Sequence, residues 1–160
     1  MSDDTDIGFP SGSDDERELL LQWLDYLRGS IRRKADGLDD AQARWTPEGH
    51  LLPIVGVVVH LTQVEWRWID GGFQGEDVHR SEEEFHPSVP LADALDAYRR
   101  RAAATERLVR ATPLETRSGP TSWAQGADLR FVLLHLINET ARHAGHADAT
   151  RELLDGVTGE

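Results

Sequence analysis

Glu139, His143 and His146 stand four and then three residues apart. At about 100° per residue that spacing brings all three to one face of a helix. They interrupt an apolar stripe that runs through Leu129, Val132, Leu133 and Leu136 and resumes at Leu153 and Leu154. Polar groups thus fall where a core-facing helix carries aliphatic side chains. His135, one turn before Glu139, belongs to the same sector. Far upstream, His60 follows Val57 by three residues and precedes Val64 by four, so it too sits inside an apolar stripe. Inward histidines and a carboxylate on separate helices are the means by which helical bundles build metal sites. Burying such groups without partners costs several kcal/mol.

Plainer readings fit the same residues. An inward histidine is commonly a hydrogen-bonded core residue, and Glu139 with His143 makes an i,i+4 pair worth about 0.2–0.5 kcal/mol on a solvated face. Spacing leaves the metal and the hydrogen-bonded readings both open. Composition narrows the chemistry. The 160 residues include no cysteine, which removes disulfides, thiolate zinc sites and a cysteine nucleophile. Any metal must rest on His, Asp and Glu, and any reacting thiol must be a small molecule. Zinc is the expected ion for mixed His and carboxylate ligands, with nickel also accepted. The net charge of −12 disfavours nucleic acid and anionic membrane surfaces, which need a clustered positive field. No apolar run approaches the roughly 20 residues of a membrane span, and a cytoplasmic protein is expected.

Four long amphipathic segments have to position these groups. Ser13 and Glu16 read as a capping box, opening a first helix with the stripe Leu20, Trp23, Leu24, Leu27, Ile31 and Leu38, and with Arg28, Arg32 and Arg33 off that line, up to about Gly37. Pro53 suits the first turn of a second helix, which carries Ile54, Val57, Val58, His60, Leu61, Val64 and Trp68 to about Asp70. Trp66 and Trp68 lie two apart and cannot share its face, so one can line a pocket. Gly71 to Pro87 reads as a long loop, with His79 and His86 exposed and not counted as ligands. Leu91 to Val109 forms a third helix, ending before Pro113. A fourth starts at Asp128 and stops near Gly156. The Arg99-Arg100-Arg101 run reads as a solvated face. The expected fold is all-α: an antiparallel four-helix bundle over residues 14–156, its longer connections leaving room for a crossover. Residues 1–13, with neither a basic nor an apolar segment of a secretory signal, read as a flexible N-terminal tail, and 157–160 as a C-terminal tail.

The segments Val59-His60-Leu61-Thr62-Gln63-Val64-Glu65 and Glu139-Thr140-Ala141-Arg142-His143-Ala144-Gly145-His146-Ala147-Asp148, followed by Arg151-Glu152-Leu153-Leu154-Asp155-Gly156, resemble the DinB-like superfamily, and within it the actinobacterial "mini-circle protein" branch. The resemblance covers nearly everything from Glu16 to Gly156. It implies a four-helix bundle in which His60 from the second helix and the pair Glu139 and His143 from the last hold Zn²⁺ or Ni²⁺. A Glu at 139 is similar to the N-terminal domain of mycothiol-dependent maleylpyruvate isomerase, whereas many relatives carry His there. His146 replaces a common Gln and stands, with His135, as an outer partner or an additional ligand. No counterpart of that isomerase's C-terminal domain follows, so maleylpyruvate isomerisation itself is not expected.

The resemblance further implies an enzyme that uses a low-molecular-weight thiol such as mycothiol on a small electrophilic substrate, in the manner of an S-transferase, and a homodimer. The nucleophile would be a metal-bound thiol or water. The same ligands suit a metal-dependent hydrolase. In a non-catalytic, stress-associated bundle the ion would instead cross-link helices.

Overall fold

The computed structural model describes residues 8–159. Regular structure among them is helical: α1 (Glu16–Ala35), the short α2 (Asp40–Ala43), α3 (Ile54–Trp66), α4 (Leu91–Ala111) and α5 (Leu129–Asp155). One isolated bridge, Arg117 to Asp128, is the extended pairing seen among the described residues. Among the described residues no helix is long and apolar enough to cross a membrane. Residues 1–7 of the expected N-terminal tail and Glu160 of the C-terminal one lie outside the described residues. Within the remainder of the N-terminal segment, the Phe9 ring lies edge-on at 5.4 Å from both Trp23 and Tyr26.

Local chemistry sets the helix ends. Asp15 caps α1 by accepting from the Arg17 N–H at 2.9 Å. Ser13 is not that cap; its hydroxyl oxygen accepts from the Asp15 N–H at 3.1 Å, one turn fragment outside the helix. Asp128 caps α5 through the Phe131 N–H at 2.8 Å. Gly156 closes α5 with φ 79°, a left-handed position that glycine takes without steric cost.

The buried face of α1 differs from its apolar spacing. Arg28, off the apolar line, is 1% exposed, while Trp23 and Leu27 are only half-buried. The reason is electrostatic. The Arg28 guanidinium forks onto Glu65 of α3, with Nε to Oε1 at 2.8 Å and Nη2 to Oε2 at 2.7 Å. Asp25 takes its Nη1 at 2.6 Å, and the Thr105 hydroxyl of α4 donates to Glu65 Oε2 at 2.8 Å. A paired, hydrogen-bonded ion pair is the form in which such groups tolerate burial.

Contacts at the two ends give the direction of each helix. α1 and α5 begin together, where Arg130 Nε meets Glu16 Oε1 at 2.5 Å. They also finish together, where Arg151 donates to the Lys34 carbonyl at 2.9 Å. α3 and α4 both run the other way. Ile54 and Leu91 share one apolar cluster with Ile31, Ala35 and Ala147, and Val64 and Val109 share the second with Leu20, Leu24 and Leu133. Because α3 and α4 run in the same sense, the chain between them must travel back along the molecule. α3 does not stop at Asp70 as a plain α-helix: it widens into a π-helix, Arg67–Phe73. A single 3-10 turn, Glu82–Glu84, then returns the chain to the side of α3.

Candidate metal centre

α3 and α5 run past one another so that His60 and His143 face each other, ring centroids 4.5 Å apart. Glu139 lies one turn before His143, with Oε2 3.6 Å from His143 Nε2. One donor atom from each of His60, Glu139 and His143 falls within 4.8 Å of the other two. All three side chains are half-buried. The core-facing line of α5 continues from Leu136 through Thr140, Ala144 and Ala147, small residues that let neighbouring backbone come close. Glu139 and His143 stand beside that line, at the edge of the core and not in its middle.

Burial prepares His143 to act as a neutral donor. Burial, with help from the nearby His60 and His146, pushes the His143 imidazole down to about 4, against the opposing pull of Glu139. Its Nδ1 is buried and makes no hydrogen bond, an orphan that a bare hydrogen-bonded core histidine would not leave. His60 has a dedicated partner: its Nδ1 lies 2.7 Å from Glu84 Oε1. Glu84 is fully buried and is also gripped by Arg67, Nη1 to Oε2 at 2.5 Å and Nη2 to Oε1 at 2.8 Å. Burial works against its charge, but the Arg67 hydrogen bonds and charge, with His60, outweigh burial and hold the carboxyl below its usual range. An ionised carboxylate only accepts, so His60 Nδ1 carries the proton. With Nδ1 engaged by Glu84, Nε2 is the ring nitrogen left to coordinate an ion, the carboxylate–histidine arrangement that orients metal ligands.

The other sequence candidates fall into two groups. His146 is exposed and sits edge-on to His143 at 5.2 Å, outside the group of three. His135 stacks on Trp68 at 4.0 Å; burial lowers its pKa, with Glu139 opposing. His79 and His86 are exposed in the α3–α4 connection, as their loop setting implies, with His79 beside Asp77 at 3.0 Å. Of the arginine run, Arg101 is not merely solvated: its Nη1 holds Asp70 at 2.6 Å. The residue that sequence reasoning misses is Glu84. It belongs to the acidic run Glu82-Glu83-Glu84, where three identical residues give no cue as to which one turns inward.

Two nitrogens and one carboxylate oxygen form a donor set that a borderline divalent ion such as zinc accepts, and three protein ligands leave positions open for a further molecule. The residues therefore fit a divalent ion. The structure defines a class: an all-helical protein with a His/Glu/His cluster between two long helices. The chain belongs to the mycothiol-S-transferase family, a DinB-like family whose model matches residues 19–156. Among solved structures, a conserved protein from Enterococcus faecalis is similar, with a TM-score of 0.67 and 17% identity. The match covers 91% of this chain and 100% of that one. At that identity the likeness speaks for the fold alone. No curated protein matches the chain.

Proposed function

We propose that this chain is a metal-dependent S-transferase that joins a low-molecular-weight thiol, mycothiol by family, to a small electrophile. One observation carries the reading: His60, Glu139 and His143 converge within 4.8 Å in a cysteine-free member of the mycothiol-S-transferase family. The working unit is residues 14–156, a four-helix bundle in which α3 runs antiparallel to α1 and α5. Its ligands are His60, Glu139 and His143. We assign zinc as the ion, with nickel suited to the same donors, and the cytoplasm as the compartment that supplies the thiol.

When bound, such an ion supplies Lewis acidity that brings the pKa of a coordinated thiol toward neutrality. The chain does the rest. Glu84 and Arg67 lock the His60 tautomer and ring direction. Burial keeps His143 neutral, so no proton has to be displaced from it at neutral pH. His146, on the solvent side of His143, is placed to pass the thiol proton outward. The thiol sulfur then bonds to the electrophilic carbon as the leaving group departs with its electron pair.

The test is consumption of mycothiol in the presence of a monohalobimane, followed by product mass, with zinc-loaded and chelator-treated protein. The reading predicts a bimane–mycothiol adduct formed faster than the uncatalysed rate by loaded protein only. Metal bound without any rate enhancement across several electrophiles would contradict it and leave the ion a structural role. Ester or amide cleavage without thiol consumption would point to a hydrolase.

A further inference from the structure

The metal centre is flanked by two surfaces of different chemistry. On the α3 side Phe85 lies 6.3 Å from the His60 ring and lines a groove that mixes Leu51, Leu52 and Val55 with Arg44, Thr46 and His86. On the α5 side the sequence of contacts is aromatic. His135 stands one turn from Glu139, about 6 Å along the helix axis, and stacks on Trp68. Trp68 meets Trp123 at 4.7 Å and Phe131 at 6.2 Å. Trp68, Trp123 and Phe131, with the segment Ala124 to Ala127, form a groove of about 480 Å³ that contains no charged side chain.

That groove is built and not a chance gap. Trp68, inside the π-helix Arg67–Phe73, meets His135 and Phe131 of α5, and π-helical turns occur disproportionately at functional sites. Gly71 and Gly72 let the Trp123 indole lie on bare backbone: a Cβ on Gly72 would stand 2.8 Å from Trp123 Cζ2. The Ser122 hydroxyl donates to the Gly72 carbonyl and fastens the loop there. Yet Trp123 remains 58% exposed and Phe131 54%. Leaving two aromatic rings wet forgoes apolar burial, and an occupant would recover it.

We propose that this groove is an electrophile-binding shelf that takes a planar, uncharged aromatic or other flat apolar group and presents its reactive carbon to the metal centre. Its volume matches a small-molecule pocket. Its lack of charge suits an apolar group, and Trp68, which lines it, contacts His135, one turn from Glu139 on the same helix. The chemistry it serves rests on the S-transferase reading; the binding it predicts does not.

The experiment uses zinc-loaded full chain and two unreactive probes of similar size, 2-methylnaphthalene-type and decalin-type amides, followed by saturation-transfer NMR and calorimetry. Metal content, circular dichroism and molar mass by light scattering are measured on the same samples. The shelf predicts that the naphthyl probe binds in preference to the decalin probe. It also predicts that Trp123→Ala and Phe131→Ala, both exposed side chains, each weaken binding, Trp123→Ala by about tenfold, with metal content unchanged. Three results would overturn it: no naphthyl binding to zinc-loaded protein; binding that neither variant weakens; or self-association that Trp123→Ala abolishes without probe binding, which would make the patch an interface between copies. If the shelf fails while the metal stays bound, the S-transferase reading still stands. Probe binding by a protein that holds no metal would keep the shelf and remove the chemistry.

Discussion

At the scale of single residues, the site depends on a group that is not itself in the cluster. Glu84 holds His60 Nδ1 at 2.7 Å, so Glu84→Gln keeps the shape while exchanging an acceptor for an amide that no longer enforces the tautomer. Metal affinity in this variant is expected to fall about 10–100-fold, measured by competition with a chromophoric chelator. His143 gives a pH signature in the metal-free protein. Its imidazole is lowered from the usual 6.5 to about 4, so in that window the unfolded chain binds a proton that the folded chain refuses. Its contribution to stability is whole above pH 6.5 and is lost as pH falls toward 4. Denaturant titrations at pH 7.5 and 4.5 should show that loss in wild type and a smaller one in His143→Ala. Helical spacing put Glu139, His143 and His146 on one face and His60 inside another apolar stripe, and the choice of His60, Glu139 and His143 as the set came from the family resemblance. Glu84 was not legible, because its partner lies 24 residues away across a connection with no period. His146 shows the limit of spacing: it lies only about 20° from Glu139 and about 60° from His143 around the helix axis, yet it is exposed while they are half-buried.

At the scale of elements, the π-helix at the end of α3 does the most positioning. Within seven residues it carries Arg67 to Glu84, Trp68 to His135 and Asp70 to Arg101. The two glycines that follow Asp70 read as a helix end by composition. Their actual role, admitting Trp123 against the backbone, depends on a loop some 50 residues further on. Gly72→Ala is therefore expected to displace Trp123 and cost about 1–3 kcal/mol, the range for overpacking. The change should appear as a lowered thermal midpoint and an altered near-ultraviolet circular dichroism signal from the Trp68–Trp123 pair. Helix ends with a local signal, Asp128 and Gly156 on α5, were readable. The cap of α1 fell to Asp15 and not Ser13 because the helix starts at Glu16: Asp15, next to it, reaches the Arg17 N–H, while Ser13 reaches only the Asp15 N–H.

At the scale of the whole molecule, direction of travel and the buried ion pair were not in the pattern. Apolar period identifies a helix and its core face, but carries no term for which way a neighbour runs, and it counts Arg28 as polar and outward. The fork from Arg28 to Glu65, braced by Thr105, ties α1, α3 and α4 together behind the metal cluster. Glu65→Leu alone should cost about 3–5 kcal/mol by stranding a buried guanidinium, and the Arg28→Met/Glu65→Leu double variant should recover most of it, as read by chemical denaturation.

The most direct test of the central claim is metal content of untagged protein by inductively coupled plasma mass spectrometry, for wild type, His60→Ala and His143→Ala, each verified as folded. Three ligands holding one ion predict near-stoichiometric divalent metal in wild type and its loss from both variants. Wild-type protein that holds no metal and fails to take up added Zn²⁺ or Ni²⁺ would contradict the account.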